Sequence, residues 1–247
     1  MADVVRFTEL LFADQSLDEL LASRNRDELP EDLWKRLAEA AGCLRRNEPG
    51  QAVELLLAIA ANPTTATRVL LYSWTTLRGL GVQPKSAEAD EIKGTVIKVP
   101  MDKGADVLAA YADGTARYVN HSGKVVIWDL PDAQIGSLIR TVLVESRNLV
   151  TGEATALNQQ RGDNAVRVTV LTLSGNRFAE VAMGSLRTSP INRVLTVGAE
   201  LMGSLIKRTE AMNRLLQQLP GSPKLTEGVK LTEGVRLGCL LSSQRHQ

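Results

Sequence analysis

Apolar residues in the middle of the chain form four short runs that either alternate with polar residues or are continuously apolar. The runs are Gly94–Pro100, Asp106–Ala112, Thr115–Asn120 and Lys124–Asp129. Asp113-Gly114 separates the second run from the third, and an Asp-Gly pair at such a place is a strong hairpin signal because both residues tolerate positive φ. The pattern therefore predicts an antiparallel meander of four strands.

The second run is apolar on both faces of the predicted strand. Val107, Ala109 and Tyr111 would point to one side, and Leu108 and Ala110 to the other. A strand that reads as apolar on both faces is typical of a central strand covered on both sides.

Residues 1–82 show the three- and four-residue spacing of apolar positions that predicts helices. One helix follows Pro30, a second covers Ala52–Ala61, and a third begins at Thr64 or Thr65 and ends at Gly79 or Gly81. The short loops between them favour antiparallel neighbours.

The second half of the chain predicts a helix, a hairpin and a long final helix. The helix begins at Pro131-Asp132, the hairpin strands are Ala165–Leu173 and Arg177–Met183, and the last helix covers Ser189–Leu219. Ser189-Pro190 is a typical helix start, with an N-cap residue before a proline in the first turn.

Apolar residues recur every seven positions along the last helix, in the manner of a coiled-coil seam interrupted by Gly198 and Thr209. A long helix that packs on a sheet produces the same stripe. We expect the first half of the helix to pack on the sheet and the second half to reach a partner. The predicted interaction residues are Gly198, Met202, Leu205, Met212 and Leu216.

These elements predict an α+β protein with a helical region at 1–82 and a mostly antiparallel α+β domain at 91–219, its helices packed on one face of the sheet. Comparable element orders occur in sensor-type, profilin-like and secretion-chaperone-like folds, an analogy of fold that assigns no function. Residues 220–247 are predicted to be a flexible tail. They contain the direct repeat Lys224–Val229 and Lys230–Val235, which is either a simple duplication or an extended recognition segment.

Charge and composition bear on partners and location. The net charge is +1 and aromatic residues make up 4% of the 247 residues, which argues against nucleic acid as a partner. Cys43 and Cys239 are the only cysteines and lie far apart, so we expect neither a disulfide framework nor a zinc cluster, and no metal or cofactor is predicted. The sequence contains neither a signal-peptide pattern nor a run of about 18 apolar residues, and a cytoplasmic protein without a membrane span is expected.

The candidates for chemistry are few. His121 lies in a predicted turn and would need Ser122 and either Asp113 or Asp129 to form a hydrolase-type site, and the G-x-S-x-G pattern of a nucleophile elbow is absent. A second candidate is a small-ligand pocket between sheet and helix.

The residues predicted to line that pocket are Tyr111, Tyr118 and Trp128.

The leading hypothesis is instead a non-enzymatic protein-interaction module, an adaptor, chaperone or scaffold subunit that binds a protein partner or self-associates through the last helix. A ligand sensor and a His121-dependent enzyme remain the alternatives.

Overall fold

The computed structural model describes residues 7–22, 29–151 and 164–218. The helices are α1 (Leu17–Ala22), α2 (Glu31–Arg45), α3 (Pro49–Ala61), α4 (Thr67–Gly79), the short α5 (Ser86–Ala89), α6 (Ala133–Thr151) and α7 (Ile191–Gln218). The strands are β1 (Ile92–Pro100), β2 (Ala105–Tyr111), β3 (Ala116–Val119), β4 (Val125–Trp128), β5 (Ala165–Thr172) and β6 (Gly175–Ala182). A short 3-10 helix, Met183–Thr188, leads from β6 towards α7.

The strands form one antiparallel sheet in the order β4-β3-β2-β1-β5-β6. The predicted α+β class and the four-stranded meander are confirmed. Asp113-Gly114 connects β2 to β3, and Gly114 has a φ of +86°, the left-handed conformation that glycine adopts without strain.

Helices cover both faces of the sheet, whereas we expected them on one face. Val107, Ala109 and Tyr111 of β2 pack into a core shared with α1–α4, and Leu108 and Ala110 pack into a second core beneath α6 and α7. The reason is the two-sided apolar character of the central strands, because two apolar faces require two covering layers. The helices of residues 1–82 thus share a hydrophobic core with the sheet.

Tyr111 and Asp113 attach the N-terminal helices to the sheet, and Tyr72 forms a bond within the N-terminal layer. The hydroxyl of Tyr111 donates to the carbonyl of Leu11 at 2.8 Å, and the hydroxyl of Tyr72 donates to the carbonyl of Leu10 at 3.1 Å. Asp113 Oδ2 accepts from the backbone N–H of Thr67 at 2.7 Å, at the start of α4. The tip of the β2–β3 hairpin therefore caps a helix of the neighbouring layer.

Within the described ranges, no helix combines the length and the apolar character that crossing a membrane requires. The predicted tail at 220–247 lies outside the described residues.

Candidate functional site

The long helix α7 lies across the second face of the sheet, and Gly198 sets how closely it approaches. A Cβ at Gly198 would be 2.7 Å from Ile97 Cδ1 of β1 and 3.6 Å from Leu108 Cδ2 of β2. Cβ atoms are essentially never found at the first distance, so a side chain at this position would force the end of the Ile97 side chain to move. The absence of a side chain at Gly198 therefore lets α7 pack against the centre of the sheet.

Most of the predicted interaction residues on α7 belong to the protein's own core. Gly198 and Leu205 are buried, and Met202 and Met212 are half-buried against the core beneath α6 and α7. The side chain of Leu216 lies outside the described residues. The heptad stripe is thus explained by packing on the sheet as far as Leu205, as expected for the first half of the helix.

The last third of α7 extends past the start of α6. The two helices are antiparallel neighbours, and Arg208 Nη2 of α7 lies 3.4 Å from Asp132 Oδ2 and 3.3 Å from Gln134 Oε1 at the beginning of α6. Because α6 starts at Ala133, the residues of α7 after Arg208 continue beyond it. At 1.5 Å per residue they extend for about 15 Å.

Leu215 lies on this projecting part of α7. It follows Arg208 by seven residues, so it lies on the same flank of the helix two turns further on. Its exposed fraction is 65%, the largest among the large apolar residues that the structure describes as exposed. The flank that α6 covers near Arg208 is therefore open at Leu215.

Two grooves follow the seam between α6 and α7. One of about 480 Å³ lies at the start of α7 and includes Arg187, Ser189, Arg193, Glu145 and Asn148 in its lining. The other, of about 390 Å³, lies near the middle of α7. Its lining residues are Gln134, Leu138, Ala199, Glu200, Gly203, Ser204 and Lys207.

His121 pairs with a carboxylate, and that carboxylate is Asp106. His121 Nδ1 lies 2.9 Å from Asp106 Oδ1, and the backbone N–H of His121 donates to the same oxygen at 2.8 Å. Tyr118 donates its hydroxyl to Asp106 Oδ2 at 2.9 Å. The β2–β3 pairing produces this cluster, because Val107 opposite Val119 places Asp106 beside the turn that contains His121.

The electrostatics of the cluster follow from these hydrogen bonds. Partial burial disfavours the charged form of Asp106, but the hydrogen bonds from His121 and Tyr118 outweigh it, so the pKa of Asp106 is lower than the ordinary value. Burial, followed by the hydrogen bond to Asp106, raises the pKa of Tyr118. Asp106 is therefore a stable carboxylate, and Tyr118 stays a hydroxyl donor.

The catalytic group predicted around His121 is not assembled. Ser122 donates its hydroxyl to Asn120 Oδ1 at 2.8 Å, Asp113 caps α4, and Asp129 pairs with Arg117 at 2.7 Å. Within residues 7–22, 29–151 and 164–218, no group of three or more His, Cys, Asp or Glu side chains is arranged to hold a metal ion.

The three residues predicted to line a ligand pocket lie on opposite faces of the sheet. Tyr111 is buried in the core shared with the N-terminal helices, whereas Tyr118 and Trp128 are buried in the core beneath α6 and α7. Strand alternation explains the separation, since Tyr111 and Tyr118 come from positions of opposite parity in the β2–β3 register. The structure therefore does not bring these three side chains into one pocket.

No family model, curated protein or solved structure matches the chain.

Proposed function

We propose that the chain is a non-enzymatic protein-interaction module, an adaptor, chaperone or scaffold subunit, that binds a protein partner or a second copy through α7. The observation that carries the proposal is the end of α7, which continues past α6 with Leu215 at 65% exposure. Met212 is half-buried against the core beneath α6 and α7, but the residues after it gain little from the protein's own core. A partner that covers this end would supply the missing burial.

The flank around Leu215 has the geometry of a helix-docking surface. Leu215 and Ala211 are one turn apart and both exposed, beside the place that α6 occupies near Arg208. A second helix laid along the same line would extend the α6–α7 packing and cover Leu215, which is the helix-in-groove mode of recognition. Single exposed leucines are common, so the uncovered flank rather than the leucine alone supports the proposal.

We also infer a cytoplasmic location and a partner other than nucleic acid. Cys43 is a buried free thiol, which agrees with a reducing compartment. The net charge of +1 gives the chain no general attraction to phosphate backbones.

The experiment compares two exposed apolar residues. Val144 on α6 has an exposed fraction of 61%, close to the 65% of Leu215, and so provides a matched control. The tagged full-length protein and the variants Leu215→Asp and Val144→Asp are recovered from native lysate, and the bound proteins are quantified by mass spectrometry. We expect a specific protein other than this chain to be lost with Leu215→Asp and kept with Val144→Asp.

Equal recovery of every bound protein with both variants contradicts the role given to this end of α7. Both substitutions add a charge at an exposed position, so both variants are expected to melt near the temperature of the unsubstituted protein. Circular dichroism melting checks that expectation.

A second candidate function is supported by the 2.9 Å contact between His121 and Asp106. A carboxylate that orients a half-exposed imidazole is the arrangement of a general base. Its test is hydrolysis of a panel of activated esters by the protein and by His121→Ala. A loss of about a hundredfold or more in turnover with the fold intact supports an enzyme, and equal turnover by the two proteins contradicts it.

A further inference from the structure

Gly203 lies in the interior of α7 without a packing reason within the chain's own fold. A Cβ at Gly203 would meet no atom within 4 Å among the described residues, in contrast to Gly198, whose Cβ would overlap Ile97. Glycine weakens a helix relative to alanine. A glycine with open space beside it therefore leaves room for another backbone to approach closely.

The space beside Gly203 is the groove of about 390 Å³ between α6 and α7. Its lining includes the small or apolar residues Ala199, Ser204 and Leu138. Glu200 and Lys207 border it, three residues before and four residues after Gly203, so both lie on the outer face of α7. In the part of the chain that the structure describes, neither of these two charges forms a salt bridge.

We propose that this groove receives α7 of a second copy, antiparallel, around a twofold axis that passes between Gly203 and Ser204. The proposal rests on the proposed function, in which α7 is the binding element, and adds a self-association surface separate from the flank around Leu215. In a twofold antiparallel pair, residues at equal distances from the axis face each other. Glu200 of each copy then faces Lys207 of the other, so the dimer forms two symmetric Glu200–Lys207 ion pairs.

The small residues fit the same arrangement. Ala199 and Gly203 lie one turn apart on the outer surface and belong to one i±4 ridge of α7. Ridges of this kind interdigitate in the commonest class of helix packing, with axes that cross at about 50° and approach to about 8–10 Å when the contact residues are small. Gly203 at the crossing point permits the close approach.

The crossing angle also keeps like charges apart. Arg193 and Arg214 would face each other about ten residues from the axis, or about 16 Å along the helix. Two helices that cross at about 50° have separated there by more than the Debye length of about 8 Å at physiological salt. The contact is therefore limited to about two turns on each side of the axis, which is typical of a weak or transient interface.

The test uses charge reversal, because the register predicts which variants recognise each other. Glu200→Lys carries lysine at both facing positions, and Lys207→Glu carries glutamate at both. Each variant alone should dimerise at least about tenfold more weakly than the unsubstituted protein, since like charges then face each other. An equimolar mixture of the two should dimerise again, and so should the double variant Glu200→Lys/Lys207→Glu.

Sedimentation equilibrium of the full chain at low salt, from about 10 µM to about 1 mM, measures these dissociation constants in the range expected of a small interface. Glu39→Lys is the control, because Glu39 is an exposed acid on α2 in the other helical layer. It should dimerise as the unsubstituted protein does. Circular dichroism confirms that every variant is folded.

The proposal is overturned if the unsubstituted protein stays monomeric over the whole range, if Glu200→Lys dimerises like Glu39→Lys, or if the mixture of single variants stays monomeric. None of these results bears on the comparison of Leu215→Asp with Val144→Asp, which tests the proposed function with a different surface. A failure of this register and a failure of the interaction module are therefore distinguishable.

Discussion

At the scale of single residues, the position of α7 depends on Gly198. We predict that Gly198→Leu lowers the free energy of unfolding by about 1–3 kcal/mol, because the added side chain must displace Ile97 and Leu108. Urea denaturation measures the change. Gly136→Ala is the control, a helical glycine of α6 whose Cβ would meet only Arg140 Nη1, at an ordinary 3.5 Å. It should be neutral or stabilising, and an equally stable Gly198→Leu would contradict the packing argument.

A second residue-scale prediction concerns pH. The pKa of Asp106 is lowered in the folded protein, so the stability it contributes is present above its ordinary pKa of 3.8 and is lost as the pH falls below that value. Asp106→Asn should therefore lower stability by about 1 kcal/mol at pH 7, where the charged acceptor is lost. Near pH 2 the difference should be smaller, because Asp106 takes up a proton as the pH falls through its folded pKa. Chemical denaturation at both pH values checks this, and a difference that persists unchanged at low pH contradicts the assignment.

At the scale of elements, the β2–β3 hairpin and α4 are joined through Asp113. Its carboxylate accepts from the N–H of Thr67, and its own N–H donates to Thr67 Oγ1 at 3.2 Å. We predict that Asp113→Ala lowers stability by about 1 kcal/mol, the usual cost of losing a helix cap. Asp102→Ala, in the β1–β2 turn, should change stability by less than about 0.5 kcal/mol, as surface substitutions usually do. Thermal melting compares the two, and equal melting temperatures would show that the cap contributes nothing.

The elements also show which features the sequence could predict. The meander was predictable because strand alternation and the Asp113-Gly114 turn are local signals. The His121–Asp106 pair was missed because it joins residues 15 positions apart, although the register that the turn imposes, with Val107 opposite Val119, would have indicated it. Whether Gly198 packs against the sheet or against a second helix could not be decided from the sequence, because both contacts require a small residue. The layer occupied by the N-terminal helices depends on tertiary packing, which no local pattern encodes.

At the scale of the whole molecule, the sheet is the shared middle layer of two cores. Helices α1–α4 cover one face, α6 and α7 cover the other, and β1, β2 and β5 contribute side chains to both cores. The sequence-based boundary after residue 82 separates helices from strands, but the core on the first face includes residues from both sides of that boundary. Removal of either helical layer would expose an apolar face of the sheet, so we expect the two layers to unfold together.

The three tryptophans allow that expectation to be tested. Trp34 and Trp74 lie in the core of the N-terminal helices, and Trp128 lies in the core beneath α6 and α7. Trp34→Phe/Trp74→Phe leaves Trp128 as the only tryptophan, and Trp34→Phe/Trp128→Phe leaves Trp74. We predict that each double variant shows one cooperative urea transition, with its fluorescence midpoint coinciding with its own far-UV circular dichroism midpoint, as two-state unfolding requires. If Trp74 instead reports a transition at lower urea than the loss of strand signal, the helices of residues 1–82 unfold as a separate domain and the shared core does not couple the layers.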